Sequence, residues 1–147
     1  MAARMCCGGS PMLRILYVDR HLLARAAASL QFWQLGYWID LVSGRERALQ
    51  VVARHRYDLI MISLELPGLD GLTLASEIRE LERHSGREYH SLVFGVAEQP
   101  EALLPHCLQA GLVGCIAKPC GREELGRAIR LAEMLDWRAG HGSFAAN

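Results

Sequence analysis

Residues 58–71, DLIMISLELPGLDG, decide the reading of this chain. The first seven, DLIMISL, are an apolar run of strand length. LPGLDG closes the stretch with turn chemistry. A strand that is apolar without alternation is buried on both faces, as in a parallel sheet whose crossovers are helices. Residues 72–83 then change period, with Ala75, Ile78 and Leu81 on one helical face.

The same alternation extends outward in both directions. Upstream, residues 13–18 (LRILYV) read as a buried strand. Residues 21–35 follow as a helix with Leu23, Ala26, Ala27, Leu30 and Phe32 at helical spacing, stopped by Gly36. Residues 37–42 read as a second strand. Ser43 to Glu46 match a capping box opening a helix that runs to about Arg54. Downstream, residues 84–90 are a polar loop and 91–96 (SLVFGV) a fourth strand. A helix then runs to about Ala110. Pro105 falls five residues after Pro100, so this helix either starts late, with Pro105 in its first turn, or is kinked there. Residues 114–117 (GCIA) are a short fifth strand. The last helix, about 122–135, points Leu125, Ala128, Ile129 and Ala132 inward.

Five strand–helix units in strict order predict an α/β fold, a (βα)5 doubly wound parallel five-stranded sheet with helices on both faces. One domain is expected over residues 13–136, with flexible tails at 1–12 and 137–147. The 147 residues are 51% hydrophobic and 22% charged, ordinary for a globular domain. No apolar run reaches the ~18 residues of a membrane span, which argues against an integral membrane protein. Sixteen basic residues balance sixteen acidic ones, which argues against nucleic-acid binding by bulk charge. Cys6, Cys7, Cys107, Cys115 and Cys120 are odd in number and irregular in spacing. With no secretory segment in the first twelve residues, free thiols and a cytoplasmic location are expected.

In such a sheet, ligands bind beyond the carboxyl ends of the strands. Strand one delivers Asp19 and Arg20 there. Strand three delivers Ser63, with Glu65 two positions on. Strand four delivers Val96 and Glu98, and strand five Lys118 and Pro119.

From about Leu13 to Leu135 the chain resembles a response-regulator receiver domain, with its flavodoxin-like fold. The residues that carry the resemblance are DLIMISLELPGLDG, ILYVD (15–19), LGY (35–37) and CLQAGLVGCIAKP (107–119), the last resembling receivers of hybrid histidine kinases. The resemblance implies a pocket that accepts a phosphoryl group on an aspartate at the end of strand three. Ser63 stands at that position. The family's acidic pair after strand one is here Asp19 and Arg20. Its hydroxyl residue on strand four is Val96, and its aromatic switch on strand five is Cys115. Asp19 and the Lys118–Pro119 pair remain, with the peptide before Pro119 usually cis in receivers.

Acyl phosphate chemistry needs a carboxylate nucleophile and a divalent ion. Asp19, Arg20 and Lys118 sum to +1, and adding Glu65 brings the pocket to zero. Mg²⁺ binding is therefore expected to be lost or weak, any residue of it falling to Asp19 and Glu65. Arg20 and Lys118 are expected to hold Asp19 in a permanent ion pair. Ser63 beside Lys118 lacks the strained elbow of a serine hydrolase and reads as structural. No zinc pattern links the cysteines.

The expectation is a degenerate receiver, not an enzyme and without a cofactor. It would act by contacts with a histidine kinase, a phosphotransfer domain or another response regulator. No output domain follows the last helix, so a stand-alone domain is expected. Two other readings stay open: a phosphorylation-competent receiver with an unorthodox site, and a small ligand-binding or enzymatic module on the same fold. Trp33 and Trp38 are interaction candidates, as aromatics pointing off the core face. Cys115 is a third, because its loss of the aromatic remodels the usual output surface. The alternative for the tryptophans is packing under a local loop.

Overall fold

The computed structural model describes residues 13–65, 71–86 and 91–140, with side chains described through Leu135. Both tails (1–12 and 141–147), positions 66–70 of the turn and positions 87–90 of the polar loop lie outside the described residues. Five strands alternate with five helices: β1 (Ile15–Val18), α1 (Leu22–Gln34), β2 (Ile39–Val42), α2 (Arg45–Arg54), β3 (Leu59–Ser63), α3 (Gly71–His84), β4 (Leu92–Ala97), α4 (Pro100–Gln109), β5 (Gly114–Ala117) and α5 (Arg122–Gly140). All strands are parallel in the order β2-β1-β3-β4-β5. The order reverses between β1 and β3, which opens a crevice at their carboxyl ends.

The pleat sends alternate residues of each central strand into two cores. Ile15, Tyr17, Leu59, Met61 and Phe94 pack with Phe32 of α1 and Leu125 and Ile129 of α5. Leu16, Val18, Ile60, Ile62 and Val93 pack on the other face, with Val52 of α2, Leu74 and Ile78 of α3, and Cys107 of α4. β1, β3 and β4 are buried along their whole lengths. That double burial is why these strands read as unbroken apolar runs. Each fully buried aliphatic side chain contributes about 1.5–3 kcal/mol.

Two local expectations change, one open alternative is decided, and the last helix lengthens. The capping box at Ser43–Glu46 does not form: Gly44 is the N-cap, no side chain caps the helix, and α2 begins at Arg45. Glu46 still favours the helix by standing in its first turn. α4 starts at Pro100, so Pro105 lies inside the helix and not in its first turn. There it gives up one backbone hydrogen bond. β2 begins at Ile39 because Tyr37 is used otherwise. Gly36 takes a φ of +93°, and the Gly36 and Tyr37 N–H groups donate to the carbonyls of Trp33 and Phe32. This is a Schellman closure of α1. Tyr37 is further anchored by a hydroxyl bond to Glu133 of α5. α5 itself is longer than its apolar pattern, reaching Gly140.

Candidate functional site

The sheet register brings the site together. Val18 pairs with Ile62 and Ser63 with Val96, while Ala97 pairs with Ala117. One residue beyond, Asp19 and Lys118 leave β1 and β5 on the same rim as Ser63. Asp19 is fully buried and Ser63 nearly so.

Lys118 is the centre of the cluster. Its ammonium lies 2.9 Å from Asp19 Oδ2, donates to Ser63 Oγ at 2.9 Å and stands 3.8 Å from Glu65 Oε1. The peptide between Lys118 and Pro119 is cis. Asp19 is satisfied on both oxygens: Tyr17 Oη donates to Oδ2 at 3.2 Å, and the His21 N–H donates to Oδ1 at 3.0 Å. Burial first, and then the neighbouring Cys120 and Asp19, push the Tyr17 hydroxyl far above the usual phenol range, so it remains a donor. Glu65 is more exposed, and its Oε2 accepts the Glu98 N–H at 3.2 Å, which ties the end of β3 to the β4–α4 turn.

Arg20 is not in the cluster. Its side chain is exposed, and the ion pair of Asp19 is made by Lys118. The guanidinium near Asp19 is that of Arg25, which binds backbone: Nη1 donates to the carbonyls of Asp19 at 2.8 Å and Arg20 at 2.9 Å. Without Arg20, the charge of Asp19 and Lys118 sums to zero, and to −1 with Glu65 at the rim.

Val96 is fully buried beside Ser63 and belongs to the apolar core. Gly71 allows the start of α3 to close on the site, because a Cβ there would lie 2.7 Å from the Ser63 carbonyl oxygen. Cys115 packs, as a free thiol, against the core cluster that contains Cys107 of α4. Burial pushes the Cys115 thiol up to about 12. Trp33 and Trp38 stand together at the α1–β2 edge, 59% and 61% exposed, which excludes packing under a loop. Beside the site, a cleft of about 420 Å³ opens between α1 and Lys118–Cys120.

Tyr17, Arg25 and the Glu98 amide were missed by sequence reading. Tyr17 was legible in principle, since Ile15, Tyr17 and Asp19 fall on one face of a strand. Arg25 was signalled by being the one charged residue in α1. A backbone amide has no sequence signal.

The response regulator receiver domain family matches residues 15–130. Among curated proteins, the chain is 29% identical over 107 residues to the sensory/regulatory protein RpfC of Xanthomonas campestris, covering 73% of this chain and 15% of that one. It is 30% identical over 126 residues to a putative transcriptional regulator of Pseudomonas aeruginosa, covering 84% and 56%. The chain thus spans from about a seventh to just over half of these relatives' lengths. Among solved structures, it matches one of the Saccharomyces cerevisiae phosphotransfer protein Ypd1 with the receiver domain of its response regulator Ssk1. The TM-score is 0.71 at 19% identity, covering 80% of this chain and 86% of that one. With the parallel five-stranded sheet and the Asp19–Lys118 rim, these matches show that the chain belongs to the response regulator receiver domain family.

Proposed function

We propose that this receiver domain takes part in two-component or phosphorelay signalling without accepting a phosphoryl group. It acts through contacts with a histidine kinase, a phosphotransfer domain or another response regulator. The observation that carries the reading is the neutral hydroxyl at the end of β3, with Lys118 bound to it and to Asp19 at 2.9 Å each. A serine hydroxyl cannot form an acyl phosphate, and among the described residues Ser63 Oγ accepts from the Lys118 ammonium and is bonded to no carboxylate that could act as its base.

The residues present do not fit the divalent ion of receiver chemistry. Mg²⁺ asks for several hard oxygens in octahedral geometry. Here both oxygens of Asp19 are engaged by donors, and an ammonium stands between Asp19, Ser63 and Glu65. Among the described residues, no group of three or more His, Cys, Asp or Glu converges on one point. A cytoplasmic location belongs to the same reading, consistent with the absence of any membrane-spanning helix among the described residues.

The test is a Mg²⁺ titration of the native chain, followed by amide NMR. Shifts at Asp19, Ser63 and Lys118 that stay linear and small into the millimolar range are expected. Saturation at micromolar Mg²⁺ centred on those amides would overturn the reading.

A further inference from the structure

α1 is apolar on nearly every side. Its sequence LLARAAASLQFWQ carries one charged residue, Arg25, whose guanidinium is committed to two backbone carbonyls. Helices of this kind are normally enclosed, yet only Ala28 and Phe32 of α1 are buried. Leu22 (68% exposed), Leu30 (54%) and Trp33 (59%) form an outer stripe, continued by Trp38 (61%) and Leu41 (38%) of the neighbouring β2 segment. These five line one shallow groove of about 400 Å³.

Among the described residues β2 is an edge of the sheet, paired with β1 alone. Its outward N–H and C=O groups are a template for another strand. Edges are usually protected by an outward lysine, a proline or a bulge. IDLV has none of these. Its one charge, Asp40, accepts from Tyr57 Oη at 2.6 Å and lies 3.8 Å from Arg14 Nε.

We propose that this face is where two copies of the chain associate, β2 against β2 about a two-fold axis, with the two α1 stripes closing over the seam. The face is complementary to itself: an antiparallel pair of identical edges satisfies its own backbone groups, and an apolar stripe meets an apolar stripe with no unpaired charge. A formal net charge of zero leaves little long-range repulsion to keep copies apart. Taking ~150–250 Å² for a buried aromatic and less for leucine, the exposed fractions amount to about 500 Å² per copy. Two copies would bury roughly 1,000 Å² of side chain, the lower bound of a specific interface before backbone is added.

The test is sedimentation velocity of the full chain from about 2 to about 200 µM, with hydrogen exchange at both ends of the range. The wild type is expected to become a dimer, with Ile39–Val42 amides slower to exchange at the higher concentration. Trp33→Glu and Trp38→Glu should each weaken association at least ~30-fold. Leu108→Glu, an exposed site on α4, should leave it unchanged. Far-UV circular dichroism checks that the variants fold. A wild type that stays monomeric throughout overturns the proposal, as does a dimer indifferent to both tryptophan variants. Concentration-independent exchange at β2 does so without any variant.

Discussion

Lys118→Met removes the cation on which three groups converge. Asp19 is fully buried and Lys118 is 15% exposed, so their 2.9 Å contact is shielded from solvent. Removing one member of a buried pair costs about 3–5 kcal/mol, because a charge is left without its partner. Asp19 would retain donors from Tyr17 and His21, and Lys118 is not wholly enclosed, so the lower end applies, about 3 kcal/mol. At about 4 °C per kcal/mol for a domain of this size, Tm should fall by roughly 12 °C. The urea midpoint should fall by about 1.5 M. A double-mutant cycle isolates the pair. Asp19→Asn with Lys118→Met removes both charges and should be more stable than the two single losses predict, by about 2 kcal/mol. A loss under about 1 kcal/mol in Lys118→Met, or additivity in the cycle, refutes the description of Lys118 as the structural counterion of Asp19.

Further outcomes follow from other parts of the structure. Replacing Ser63 by Asp puts a carboxylate on the rim beside Asp19, and this variant should bind Mg²⁺ more tightly than the wild type and become labelled by a small-molecule phosphodonor, read by intact mass. Glu82 is 2% exposed and held by Arg79 at 3.0 Å and Ser91 Oγ at 2.6 Å, so Glu82→Ala should cost about 3 kcal/mol in urea denaturation. Cys115 and Cys120, pushed up to about 12 and about 11 by burial, should react far more slowly with a thiol reagent at pH 8 in the native chain than in denaturant. This is measured with Cys6 and Cys7 replaced by serine. The same shifts make stability pH-dependent. Between pH 9 and 12 the unfolded thiols have lost protons that the folded ones keep, so stability, full below pH 9, should fall as pH rises. A flat urea midpoint from pH 8 to 10.5 contradicts this.

The fold was legible because the double burial of β1, β3 and β4 writes itself as unbroken apolar runs, and because Gly36 closes α1 where only a glycine is at ease. Boundaries were less legible where backbone took an unexpected partner. Tyr37 is held by the closure of α1 and not by the sheet, and Ser43 was passed over as cap for Gly44. At the site, strand ends named Asp19, Ser63 and Lys118 correctly as neighbours, since the register of a parallel sheet is set by its pleat. Arg20 was misplaced because alternation and loop direction cannot be read from a single residue after a strand. It leaves β1 toward solvent, and Arg25 reaches back from α1 to hold the carbonyls instead. Charge arithmetic on sequence neighbours therefore made the pocket one unit too positive, while the neutral Ser63 was visible from the start.

The central claim is that this receiver domain does not take up a phosphoryl group. The most direct measurement is the intact mass of the wild-type chain after incubation with a small-molecule phosphodonor and Mg²⁺, beside a phosphorylatable receiver treated identically. The account predicts an unchanged mass while the control is labelled. A phosphoryl adduct released by hydroxylamine, as an acyl phosphate is, would contradict it.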